Sequence, residues 1–265
     1  MYTRLQLGKK YLHYYFTASN GKGHGIHSPF VFDFVVNVLN DNRNFYPYQI
    51  IENLRHQLLN DKTVLDIEDF GAGSVAGTTK RRSVASIAKN AAKSTKLSQL
   101  LFRMVHYYQP ETVLELGTSL GISAGYMAAA NPKARLITME GATAIARLAT
   151  QHHQWLQLNN IELITGNFED TLAETLQTLK SVDFAFVDGN HRFGPTKSYF
   201  VQLLAKATPR SIFIFDDIHW SREMEEAWLY IKGHPAVTAS IDLFFIGIVL
   251  FRPEFRSKQQ FTIRF

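Results

Sequence analysis

Three aspartates and a histidine stand where two apolar runs end. Phe186-Val-Asp188-Gly-Asn-His191 closes one run, and Phe213-Ile-Phe-Asp216-Asp217-Ile-His219-Trp220 closes another. Clustered carboxylates repel one another unless a cation sits among them, and oxygen-rich ligation suits Mg²⁺ or another hard divalent ion. Such an ion would orient a hydroxyl bound to it and lower its pKa. His191, near Asp188, suits a base, because an imidazole takes a proton near neutral pH without a large shift. Plainer readings stand beside these. Asp216-Asp217 also fits an N-cap and turn pair ahead of a helix over Ser221 to Lys232, and His191 fits a surface loop. Trp220 fits a pocket wall or core packing equally well.

A second constellation lies in Thr112-Val-Leu-Glu-Leu-Gly-Thr-Ser-Leu-Gly-Ile-Ser-Ala124. An apolar, β-branched run ends in an acid, and two glycines then open a small-residue segment. This reads as a buried strand, a tight turn and a helix start, where an α/β fold grips a nucleotide-like ligand. A dinucleotide turn needs glycines as G-x-G-x-x-G, but Gly117 and Gly121 have three residues between them and a third glycine is missing. The acid at Glu115 would repel phosphate and attract a cation. S-adenosylmethionine, with an ammonium, a sulfonium and no phosphate, fits. The next apolar run ends in Glu140-Gly141, about twenty residues on, where a carboxylate can accept both ribose hydroxyls. Singly, Glu115 and Glu140 read as solvated loop acids; at consecutive strand ends around a glycine turn they favour a ligand.

These residues resemble the class I S-adenosylmethionine-dependent methyltransferases, whose first motif has the form E-L-G-x-x-x-G-x-S. The resemblance implies that Glu115, Gly117, Thr118, Ser119, Gly121, Ser123, Glu140 and Gly141 contact the cofactor, with Asp188 at the pocket edge. It places Asn167 and Phe168 beside the adenine, although the family often has an acid at Asn167 and Phe168 also suits a core. The aspartates are similar to those of the metal-dependent O-methyltransferases of the catechol and caffeoyl-CoA type, which implies that Asp188, Asp216 and Asp217 bind a divalent metal. The Asp-Asp pair departs from that type's Asp-Asn and looks more like the macrocin-type sugar O-methyltransferases. His191 stands where the catechol type has a lysine base. The resemblance covers about residues 95 to 252, including Ser98-Gln-Leu-Leu-Phe-Arg-Met-Val105. The N-terminal part resembles only bacterial chains described simply as class I methyltransferases.

The elements that must hold these residues follow from Glu111 onward. Strands are expected at 112–116, 135–139, 161–165, 182–187 and 211–215, with helices between, which makes a parallel sheet with helices on both faces. Strands at 237–242 and 245–251 have no helix between them and read as a closing hairpin. The expected fold is α/β: a Rossmann-like, mostly parallel seven-stranded sheet over residues 95–265, with residues 1–94 as a helical extension. In that extension Ser28-Pro29 starts a helix to Leu39, 49–60 is amphipathic, and 64–67 is a short strand. Residues 71–82 form a flexible basic loop, its glycine cluster a decoy of the cofactor motif. Residues 83–108 are helical with a break near Ser94-Thr95. Phe261 to Phe265 is one more short strand candidate.

The 265 residues are 46% hydrophobic, enough for a sizeable core, and contain no cysteine, which removes disulfides, thiolate metal sites and a cysteine nucleophile together. Met1 to Lys10 lacks a signal-peptide core and no run reaches membrane length, so a soluble cytoplasmic protein is expected. A net charge of +5 with dispersed basic residues argues against nucleic acid. His24 and His27 lack a nearby acid or cysteine and make a weak metal signal. The aromatic run from Tyr11 to Phe16 reads as core or homodimer contact. The expected function is methyl transfer from S-adenosylmethionine to a hydroxyl of a small molecule, with divalent-metal assistance. The alternatives are a metal-independent methyltransferase and a non-catalytic cofactor-binding or regulatory module.

Overall fold

Polar caps written into the sequence start the first helices. Helix α1 (Arg4–Thr17) opens on a capping box in which Thr3 and Gln6 satisfy each other's backbone N–H groups. Helix α2 (Pro29–Phe34) starts at Ser28, whose hydroxyl accepts from the Val31 N–H, and runs into a π-helical turn over Val35–Leu39. The computed structural model describes residues 1–68 and 79–265. Their contacts divide the chain into two units, residues 42–174 and residues 1–41 with 175–265.

In the 42–174 unit, helix α3 (Tyr46–Asn60) leads to an antiparallel pair, β1 (Val64–Glu68) and β2 (Thr79–Ser83). The strand β2 corrects the expected basic loop. Asp66 and Arg81 are register partners, and their opposite charges face across the pair at 3.6 Å. The glycine cluster at 71–74 lies outside the described residues. Helices α4 (Val84–Ala91) and α5 (Thr95–Tyr108) are separated at the expected break because Ser94 caps α5.

Strand β3 (Thr112–Leu116), helix α6 (Ile122–Ala130), strand β4 (Arg135–Glu140), helix α7 (Thr143–Trp155) and strand β5 (Ile161–Thr165) follow, and β3, β4 and β5 pair in parallel in that order. Val113, Leu114 and Leu116 of β3 are buried together with Glu115, the continuous burial expected of a strand covered on both faces. Helix α8 (Phe168–Thr178) comes next.

The other unit holds β6 (Phe184–Val187), α9 (Phe193–Leu204), β7 (Ile212–Asp216), α10 (Arg222–Gly233), β8 (Ala239–Asp242), β9 (Ile246–Leu250) and β10 (Gln259–Thr262). The strand order is β10-β8-β9-β7-β6, with β6 parallel to β7 and β9 antiparallel to both neighbours. The Trp228 ring of α10 packs against Gly247, where an added Cβ would meet it at 2.6 Å, so only glycine lets this helix sit so close to β9. Leaving aside the β1–β2 pair, β3, β4 and β5 bring the strands among the described residues to eight where seven were expected. The extra one is β10, which joins β8 in parallel slightly ahead of the 261–265 candidate. No described helix is long and apolar enough to cross a membrane.

Candidate functional site

The glycine turn after β3 is held by its own backbone and by β4. Gly117 and Gly121 have φ of 107° and 83°, which side-chain-bearing residues rarely adopt. The N–H groups of Gly117 and Thr118 both donate to the Met139 carbonyl, and that of Gly121 donates to the Thr118 carbonyl. Glu140, at the end of β4, accepts from the Ser119 N–H at 2.8 Å and the Ala142 N–H at 3.0 Å. Burial raises its pKa, against the pull of the Ala142, Ser119 and Gly141 N–H groups.

Glu115 is fully buried. One of its oxygens accepts from the Thr138 hydroxyl at 2.6 Å, and Thr138 and Thr118 share a hydrogen bond of the same length. Register explains Thr138, a residue the sequence reading passed over. It stands opposite Glu115 across the β3–β4 ladder. Burial pushes the Glu115 carboxyl up to about 7, with the Ser123 and Thr138 hydroxyls resisting the rise and Glu140 adding to it. The other carboxylate oxygen and the buried Ser119 hydroxyl have no hydrogen-bond partner among the described residues. Two orphaned polar atoms at one turn are what a polar, cationic ligand would satisfy.

Gly141 sits in the bend after β4. Asn167 caps the start of α8, its side chain accepting from the Glu169 N–H at 3.3 Å, while Phe168 is half-buried. Asparagine caps a helix as well as the acid that the resemblance suggests, so the exchange keeps the capping bond. Two further residues escaped the sequence reading. His152 and His153, both buried on α7, bond to the carbonyls of Leu120 and Gly121. Their only signal was a histidine pair inside an amphipathic helix, which reads as ordinary packing.

The aspartates and His191 belong to the other unit. Donor atoms of Asp188, His191 and Asp216 lie within 4.8 Å of one another, the one such group among the described residues. His191 Nε2 is 3.6 Å from Asp188 and 3.9 Å from Asp217. Asp217 stands outside the three-donor group. Its φ of 54° places it in a tight turn, where its N–H donates to Phe245 and its carbonyl accepts from Trp220. The capping alternative for this pair is removed, because Ser221 caps α10 through the Met224 N–H. The two carboxylates of this group suit a divalent cation, and the imidazole beside them suits either a third donor or a base.

His219 points elsewhere. Its ring nitrogens lie 3.1 Å from Glu225 and 2.9 Å from Asp242, and Glu225 also accepts from Lys10 and Tyr2. His24 and His27 are exposed. The Tyr11–Phe16 run divides, with Tyr14 buried against Phe244 and Phe16 exposed.

Residues 114–218 match the model of a family described as a methyltransferase domain. No curated protein matches the chain by sequence. Among solved structures, the methyltransferase PaMTH1 of Podospora anserina, bound to S-adenosylhomocysteine, is 12% identical with a TM-score of 0.59, over 95% of this chain and 97% of its own. TomG, an O-methyltransferase of Streptomyces achromogenes in complex with S-adenosylmethionine, is 17% identical with a TM-score of 0.57, over 84% and 95%. An O-methyltransferase of Bacillus cereus, with S-adenosylhomocysteine, is 16% identical with a TM-score of 0.57, over 83% and 96%. At these identities the likeness establishes the fold.

Proposed function

We propose that this chain, which carries a methyltransferase domain on the class I methyltransferase fold, moves a methyl group from S-adenosylmethionine to a hydroxyl oxygen of a small molecule. Residues 95–265 are the methyltransferase domain in this reading, and residues 1–94 its extension. The observation that carries it is the glycine turn bracketed by Glu115 and Glu140, with a Glu115 oxygen and the Ser119 hydroxyl buried beside it and unpartnered among the described residues. The relatives seen with S-adenosylmethionine or its product support the same ligand.

Bound there, S-adenosylmethionine supplies an electrophilic methyl carbon on a sulfonium. The acceptor oxygen forms a bond to that carbon as the carbon–sulfur bond breaks, leaving a neutral thioether and a proton to be removed. Glu115 offers its open oxygen to the ammonium, with Thr138 and Ser123 holding its orientation. Gly117, Thr118, Ser119, Gly121 and Ser123 form the walls of the turn, and Glu140 and Gly141 take the ribose end. Asn167 and Phe168 border the adenine. His191 takes the acceptor proton. Asp188 and Asp216, with Asp217 at the edge, would hold a divalent cation that polarises the acceptor hydroxyl.

Calorimetric titration of S-adenosylhomocysteine into the protein, with Mg²⁺ and with EDTA, tests the reading. Binding in wild type that is lost in Glu140→Ala is expected, followed by turnover of a hydroxylated acceptor. Absence of binding under either condition would overturn it. Binding without turnover across a broad panel of hydroxylated acceptors would favour a regulatory module, and turnover undiminished in EDTA a metal-independent enzyme.

A further inference from the structure

The carbonyls of Leu120 and Gly121 are the last two of the glycine turn before α6. The Gly121 carbonyl accepts the first helical bond from Gly125, whereas that of Leu120 lies outside the helix and has no such partner within it. Leu120 is 1% exposed, so an unanswered carbonyl there would be costly. His152 Nδ1 lies 2.9 Å from the Leu120 oxygen, and His153 Nε2 lies 3.2 Å from the Gly121 oxygen. A carbonyl oxygen only accepts, so each of these ring nitrogens carries its proton and donates. His153 also fills the space behind the turn. A Cβ added to Gly121 would come within 2.5 Å of its Nε2.

We infer that His152 and His153 are positioning residues for the cofactor, fixing from behind the peptide planes that begin α6, an inference that rests on S-adenosylmethionine being the ligand of the turn. In a trans peptide the C=O and the following N–H point in opposite directions. Tying the Gly121 carbonyl toward α7 therefore aims the Ile122 N–H away from α7. On the other side of the turn, Glu140 holds the Ser119 N–H. The four-residue stretch from Ser119 to Ile122 is thus gripped by β4 at one end and by α7 at the other. Preorganisation of this kind raises affinity because the turn is not ordered at the ligand's expense.

The two nitrogens call for different replacements. An asparagine amide occupies the place of Nδ1, and a glutamine amide that of Nε2. S-adenosylhomocysteine titrated into wild type, His152→Asn, His152→Leu, His153→Gln, His153→Asn and His153→Leu separates the roles. The leucine variants and His153→Asn, which is too short to reach Gly121, should bind roughly tenfold more weakly, the usual weight of one lost buried hydrogen bond. His152→Asn and His153→Gln should stay within about threefold of wild type. Leucine variants that bind like wild type, or amide variants no better than leucine, would overturn the inference. If a leucine variant fails to fold, the contrast between His153→Gln and His153→Asn still decides. Wild type that takes up no S-adenosylhomocysteine would remove the cofactor reading and this inference together, whereas wild-type binding with indifferent variants removes this inference alone.

Discussion

The backbone N–H of Ser119 donates to Glu140 Oε2 at 2.8 Å, so the acid that ends β4 closes the turn that follows β3. Its other oxygen accepts from Ala142. Glu140 is therefore a clamp on the turn, in addition to the ligand role proposed for it. Hydrogen bonds to a charged acceptor contribute about 1.5–3 kcal/mol each. Glu140→Ala should lower stability to urea by about 2–4 kcal/mol, less than two full bonds because water reaches the gap, and weaken S-adenosylhomocysteine binding at least tenfold or so. Denaturant melts and calorimetry on one preparation check both. Normal stability with normal binding would show that the turn needs no clamp.

Glu115 makes the glycine turn, the proposed cofactor site, pH-sensitive. Its folded pKa, near 7, lies above the ordinary 4.5. The folded protein thus holds a proton that the unfolded chain has released between those values. The sign follows: this stabilisation is complete below pH 4.5 and is lost as pH rises through about 7, roughly 3 kcal/mol in all. A ligand ammonium beside Glu115 favours the ionised form and expels that proton. S-adenosylhomocysteine binding at pH 7 should release roughly half a proton per site, read from heats in buffers of different ionisation enthalpy. Glu115→Gln should abolish the release and flatten that part of the stability profile. Unchanged proton release in the variant would locate the titrating group elsewhere.

His219 illustrates a charge whose purpose is cohesion. Carboxylates face both ring nitrogens, so the ring carries two protons and a positive charge, and it stacks on Phe244. Burial pulls its pKa down, but the hydrogen bonds and charges of Asp242 and Glu225 prevail and raise it. The stabilisation is fully present below the unfolded value of 6.5 and is lost as pH rises through the raised folded value. His219→Leu takes one charged hydrogen bond from each of two carboxylates that keep other donors, and should cost about 3 kcal/mol at pH 6. Melting temperatures from pH 6 to 9 should show the gap between wild type and variant closing toward the alkaline end. A constant gap would mean that packing, not charge, holds the ring.

The parts of the fold that were legible in the sequence are those with strong local signatures. Ser28-Pro29 announced a helix start, Ser94-Thr95 a break between helices, and β3, β4 and β7 announced themselves as apolar runs ending in acids. The basic stretch at 79–83 misled because its strand character comes from pairing with β1, a relation between distant residues that composition does not carry. Strand β10 was legible only from Phe261, because its opening Gln259-Gln260 pair carries no strand signature and joins the sheet where β8 offers an edge. Within the site, carboxylates and glycines could be read from spacing. Thr138, His152 and His153 could not, since their roles come from register with Glu115 and from the packing of α7 behind the turn.

The carboxylate group after β6 and β7 distinguishes its members. Asp188, His191 and Asp216 have donor atoms within 4.8 Å, whereas Asp217 comes near through His191 at 3.9 Å. A cation bound only by the folded state stabilises by mass action, about 2.7 kcal/mol at one hundred times Kd. For a chain of this size that is roughly 5–10 °C in melting temperature. Mn²⁺ should therefore raise the melting temperature of wild type by that amount, and EDTA should reverse it. Asp216→Asn and Asp188→Asn should abolish the rise, because each removes a charged oxygen from the donor set. Asp217→Asn should keep most of it, since Asp217 sits at the edge of the group. A Mn²⁺ shift that survives Asp216→Asn would assign the aspartates to substrate binding, with His191 left to take the proton unaided.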